Sequence, residues 1–162
     1  MFADGFIAEH IFEILGLLVT VGGVWLVVKQ LNETRLASQM EGILALGDRF
    51  DGIVEHNIIL FELSQTTPWK EANNSKAHKI IFESKRNREA FFKVTSFYEA
   101  LAVLVRRRVV DKQLAIDNWG DMVGKRWTWI EKAVLEHRRS LENEKFSQHW
   151  EWMAKEFENY PE

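Results

Sequence analysis

Residues Ile14 to Val28, ILGLLVTVGGVWLVV, hold no charged side chain and are closed by Lys29. An uninterrupted apolar run of this kind predicts a membrane-spanning helix, which orders the rest of the chain. Its fifteen residues reach only about 22 Å as a helix, short of a hydrocarbon core of about 30 Å. Extension back to Ile7 gives roughly 33 Å but takes in Glu9, His10 and Glu13. Extension forward takes in Gln30 and Leu31, with Lys29 snorkelling its ammonium to the headgroups. Glu13 then lies either in the headgroup layer or inside the span, and both placements remain open.

Glu9, Glu13, Gly16, Thr20, Gly23 and Val27 follow one another at alternating spacings of four and three, which is one helical stripe. Small residues let helix backbones approach, and Thr can hydrogen-bond across such a contact. The stripe (Glu9, Glu13, Gly16, Thr20, Gly23) is therefore the expected helix-association face. Its direction across the membrane follows from charge. Asp4, Glu9 and Glu13 precede the run while Lys29 and Arg35 follow it, so the positive-inside rule puts the N-terminus outside and the C-terminal region in the cytoplasm. Trp25 and Lys29 are the expected inner interfacial anchors. MFADGF lacks the basic region of a cleavable signal, so the span is expected to stay in the mature protein.

The net charge of −3 divides unevenly. Three acids and no Lys or Arg lie in the first 28 residues, so the remaining 21 acids balance the 21 bases, and net charge points to no polyanionic partner. With no cysteine, disulfides and thiolate sites are excluded. Only two prolines, Pro68 and Pro161, and no strand-type alternation make the class all-α. The expected architecture is one N-terminal transmembrane helix continuing into a long helix, followed by a small cytoplasmic helical bundle. Its segments are a tail and span over 1–30, a stalk helix over 31–63, a loop over 64–75 and the bundle over 76–162.

In the stalk, Leu36, Met40, Ile43, Phe50, Val54 and Phe61 keep a helical repeat, with Gly47 and Asn57 at stripe positions between them. This stripe either packs on later helices or forms a parallel coiled coil, with bends placed at Gly42 or Gly47. The loop SQTTPWKEANNS carries Trp69, expected at the bundle edge or against lipid. Ser75 is the expected cap of a helix from Lys76 to about Arg107, with Ile80, Ile81, Phe91, Val94, Tyr98, Leu101 and Val105 inward. Asp111 caps the next helix, which buries Leu114, Trp119, Met122, Val123, Trp127, Ile130 and Val134. A last helix after Asn143 repeats Phe146, Trp150, Met153, Phe157 and Tyr160.

FYEALAVLVRRRVVDKQLAIDNWG (Phe97 to Gly120), the pair Arg138 and Arg139, and FSQHWEWMAKEF (Phe146 to Phe157) together resemble a family of small bacterial single-span membrane proteins of unknown function. The resemblance covers about the last 75 residues plus the span, and implies the fold and topology but no activity and no functional residue. Arg108 stands where such proteins more often have Gly before the turn.

Glu99, within an otherwise apolar stretch, is expected to pair with an arginine of the Trp-bearing helix, Arg126 or Arg138. Residues 76–112 hold ten bases against four acids, while the chain from Ser140 on holds six acids against two bases. Arg106, Arg107 and Arg108 are accordingly expected to meet either the acidic C-terminal helix or anionic lipid, with nucleic acid disfavoured for want of a recognition motif. The five histidines never pair at metal-ligand spacing, and no nucleophile elbow or phosphate-cradling glycine pattern occurs, so neither an enzyme nor a cofactor nor a metal site is expected. Two function classes remain. The first is a single-pass anchor in the cell's inner membrane whose bundle binds another membrane protein or copies of itself; the second is a homo-oligomeric ion-conducting assembly lined by the Glu9 to Gly23 stripe.

Overall fold

The computed structural model describes residues 3–158, with side chains over 22–34 and 36–158. Seven helices and no strand occur among them: α1 (Ala3–Asp51), α2 (Val54–Gln65), α3 (Thr67–Lys70), α4 (Asn74–Glu83), α5 (Lys85–Arg106), α6 (Lys112–Leu141) and α7 (Gln148–Glu158). The class is all-α, as the sequence predicts. The chain divides into two compact units, Met1–Glu41 and Gly42–Glu162.

In the first unit, Val24, Trp25, Leu26, Val27, Val28 and Leu31 are all exposed. Lys29 Nζ lies 5.7 Å from the centre of the Trp25 ring and 4.0 Å from Glu33. Among the described residues no helix is long and apolar enough to cross a membrane. The side chains of 3–21 lie outside those described, so Glu9, Glu13, Gly16 and Thr20 do too, as does the first half of the Ile14 to Val28 run.

The second unit is a helical bundle. Its core is the heptad-spaced face of α5 (Phe91, Val94, Tyr98, Leu101, Val105) against Val123, Trp127, Ile130 and Val134 of α6 and Trp150, Met153 and Phe157 of α7. The inward residues expected from periodicity hold here, apart from Ile80, Leu114, Met122 and Phe146, which are half-buried, and Tyr160, which lies outside the described residues.

Helix ends differ from expectation at three places. The stalk does not run unbroken to Leu63. It stops at Asp51, and Gly52 and Ile53 turn the chain, with Ile53 buried and its N–H donating to the Phe50 carbonyl at 2.9 Å. Gly42 and Gly47, the expected bends, stay helical. The break shifts the buried face, so α2 buries Asn57, Ile59 and Leu60 and leaves Val54, Ile58 and Phe61 outside. Leu36, Met40 and Leu44 are likewise exposed, whereas Ile43 and Leu46 are buried.

The second difference is at α4. Its cap is Asn73, whose side chain accepts from Lys76 N at 2.9 Å, and not Ser75. Ser84, in extended geometry, then ends α4 and caps α5 by accepting from Asn87 N at 3.3 Å, splitting the helix expected over 76–107. The third lies in the 64–75 loop, where α3 carries Trp69 into the core at 5% exposure and excludes it from a lipid contact. Lys132 Nζ holds this segment by donating to the Lys70 and Ala72 carbonyls.

The α5–α6 turn keeps its form despite Arg108. That residue has φ 58, the left-handed region that favours glycine. Val109 N donates to Leu104 O and Arg108 N to Val105 O, both at 2.9 Å, which is the paired closure of a Schellman turn. Asp111 then caps α6, accepting from Gln113 N and Leu114 N. Because a side chain at such a φ costs about 1 kcal/mol, Arg108→Gly is expected to stabilise the fold by about 0.5–1 kcal/mol. A urea midpoint raised without a change in slope would verify it, and an unchanged or lower midpoint would refute it.

Candidate functional site

One face of the bundle brings together groups that a packed surface does not leave free. The outer side of α2 and the middle of α6 enclose a groove of about 250 Å³, lined by Phe50, Val54, Asn57, Ile58, Phe61, Met122, Arg126 and Trp129. Val54, Ile58 and Phe61 repeat at helical spacing along α2, and the Phe61 ring lies 5.3 Å from that of Trp129.

Arg126 is the unusual member. Its guanidinium lies 5.2 Å over Phe50, 5.8 Å over Tyr98 and 5.9 Å over Trp129, an aromatic box that suits a cation. Its Nη1 donates to the Tyr98 hydroxyl, while its buried Nε–H meets no acceptor. Burial pushes the Tyr98 phenol up to about 12, against the opposing pull of Arg126, so the phenol stays neutral and supplies no counter-anion. No carboxylate among the described residues pairs with Arg126. Asn57, 5% exposed, spends its Nδ2 on the Ile53 carbonyl at 3.1 Å and leaves its Oδ1 without a donor. An apolar groove beside an unbalanced cation can take an apolar partner that carries an anionic group.

A wider groove of about 700 Å³ runs along α6 to the end of α7. Two of its acids are already engaged, Asp121 with Lys125 at 2.9 Å and Asp117 with Gln113 at 2.9 Å. Among the described residues no group of His, Cys, Asp and Glu is placed to hold a metal ion.

The residues expected from sequence fall as follows. Of the association face only Gly23 has a described environment, and it faces open space. Arg106, Arg107 and Arg108 are exposed and form no ion pair among the described residues; Arg106 lies 5.7 Å from the Trp152 ring centre. The acidic last helix reaches the basic segment through Glu156 and Lys112 at 2.6 Å. Glu99 pairs with neither Arg126 nor Arg138. Its carboxylate accepts from the backbone N–H groups of His149 and Trp150 and from His149 Nδ1 at 2.6 Å, so it caps α7 from across the bundle. Arg138 instead donates to Glu151 at 2.6 Å and to the Phe146 carbonyl at 2.7 Å. Hydrogen bonds and ion pairing with Lys155 and Arg138 hold the Glu151 carboxyl below its ordinary value, against the burial that raises it.

Sequence reasoning passed over Arg126 as a groove residue; Asn57 standing in an apolar stripe was the available signal. It also passed over a histidine pair. His78 Nε2 and His137 Nδ1 lie 3.3 Å apart among Phe82, Phe91, Phe92 and Phe146. Burial lowers both imidazoles from 6.5, with Glu136 opposing the shift at His78 and His78 itself adding to it at His137. The unfolded chain therefore binds more protons below pH 6.5, and the pair's contribution is lost as pH falls from 6.5 through the lower values of the folded imidazoles. The thermal midpoint is expected to drop between pH 7.5 and 5.5, and less so in the double variant His78→Gln, His137→Asn. An equal drop in both proteins would remove the pair as the cause.

No curated protein and no solved structure matches this chain. The model of a domain of unknown function, DUF4760, matches residues 13–157, a range that takes in the whole bundle core and the Ile14 to Val28 run. The chain belongs to the DUF4760 family.

Proposed function

We propose that this protein is a membrane-anchored helical interaction protein, single-pass in the inner membrane with its bundle in the cytoplasm, that assembles with copies of itself or with another membrane protein. The observation that carries this reading is the outward turn of Val24, Trp25, Leu26, Val27, Val28 and Leu31 on α1, all exposed. Five consecutive residues cover every side of a helix, and a helix apolar on all sides belongs in lipid or in the core of a larger assembly. Lys29 beside Trp25 gives the pairing of cation and aromatic ring that suits an inner interface. The groove over Arg126 supports a bundle that receives a protein partner.

Membrane fractionation of the full chain tests the anchor. It is expected to sediment with the inner membrane and to resist alkaline extraction, with the bundle accessible to protease only from the cytoplasmic side. Release by alkali would overturn the anchor. Native mass after gentle extraction then tests assembly: a defined oligomer or a stoichiometric complex is expected, and a lone monomer would sink the interaction role.

A further inference from the structure

We infer that the outer face of α2 is where a second copy of this chain docks, about a two-fold axis running along α2. The inference deepens the self-assembling form of the reading above and rests on it.

The face is apolar at its centre and oppositely charged at its two edges. Val54, Ile58 and Phe61 form the centre, exposed to 39%, 51% and 47%. Arg126 stands on the α6 side, with Asn57 beside it lining the same groove. Glu55 and Glu62 stand on the other side, three positions before Ile58 and four after it. The 3.9 Å contact of Glu62 with Arg86 turns that edge toward α5, and Glu55 is exposed with no ion pair among the described residues.

These edges are complementary to each other. A two-fold axis along α2 lays the acidic edge of one copy on the cationic edge of the next, twice over, while an axis across α2 sets like charges together. In the first arrangement Arg126 gains from the partner's Glu55 the counter-anion that its own chain does not supply. An apolar strip that stays wet and a half-buried cation left unbalanced are each unfavourable in the lone chain, and one contact removes both. Because the two edges match each other, the occupant is a second copy and not a protein of unrelated charge pattern.

The chain has no cysteine, so Ile58→Cys in the full chain supplies a single thiol close to the axis. Under mild oxidation in native membranes it is expected to give a disulfide-linked homodimer. Ser140→Cys, exposed at the C-terminal end of α6, is expected not to. Adding Glu55→Arg to Ile58→Cys should cut the crosslinked fraction about tenfold by setting two cations together, and Glu55→Arg with Arg126→Glu should restore it. Since Arg126 also holds Tyr98, the exposed Glu55→Arg variant carries the result alone if Arg126→Glu disturbs the bundle.

Ile58→Cys crosslinking no better than Ser140→Cys, or joining a different protein, would overturn the inference. So would insensitivity to Glu55→Arg, or failure of the charge exchange to restore the crosslink in a folded protein. An oligomer that persists while Ile58→Cys fails to crosslink defeats this surface and leaves the proposed function standing. A lone monomer defeats both.

Discussion

Replacing Glu99 by alanine is expected to destabilise the bundle by about 3 kcal/mol, combining the loss of a helix cap with the loss of charge-assisted hydrogen bonds. At the N-terminus of α7 the Gln148 N–H donates to the local Lys145 carbonyl, and the Glu99 carboxylate of α5 takes the next two, at 3.1 Å from His149 N and 2.9 Å from Trp150 N. Alanine leaves two N–H groups and the His149 ring without their acceptor, and removes the anion at the positive end of the helix. Glu99→Gln keeps an acceptor but not the charge, and is expected to cost about 1 kcal/mol. Urea unfolding followed by tryptophan fluorescence checks both. Equal midpoints for wild type and Glu99→Ala would show that α7 is held by its apolar face alone.

Trp150→Ala is expected to cost more, about 3–5 kcal/mol, a large part of the roughly 5–15 kcal/mol that holds a domain folded. Trp150 is fully buried. Its ring stacks on Tyr98 at 4.5 Å, meets Trp127 edge-on at 5.4 Å, and donates Nε1–H to the Val123 carbonyl at 3.3 Å. Removal opens a cavity where α5, α6 and α7 meet, too large for its neighbours to collapse into. Loss of the near-UV circular dichroism signal with helicity retained is the expected signature, and an unchanged near-UV spectrum would count against it. Because both substitutions loosen the same helix, Glu99→Ala at the N-terminus of α7 and Trp150→Ala at its buried face, they should combine to less than their sum.

Periodicity alone determined much of this protein. The heptad face of α5, the Trp-bearing face of α6 and the stripe of α7 are legible because a helix buries every third or fourth residue wherever it packs. Asp111 is legible as a cap because its spacing to Gln113 and Leu114 is local. The apolar run from Ile14 to Val28 is legible from composition.

What depended on distant parts of the chain was not. Glu99 caps a helix fifty residues away, so no local pattern separates it from a carboxylate paired with arginine. The turn at Gly52 and Ile53 follows from burying Ile53, and by rotating the face of α2 it leaves Val54, Ile58 and Phe61 outside. Arg126 becomes an unbalanced cation only because Phe50, Tyr98 and Trp129 from three helices surround it. Spacing along one helix fixes which residues share a face; which face stays uncovered is decided by the packing of all the others, and the candidate site lies on the face left over.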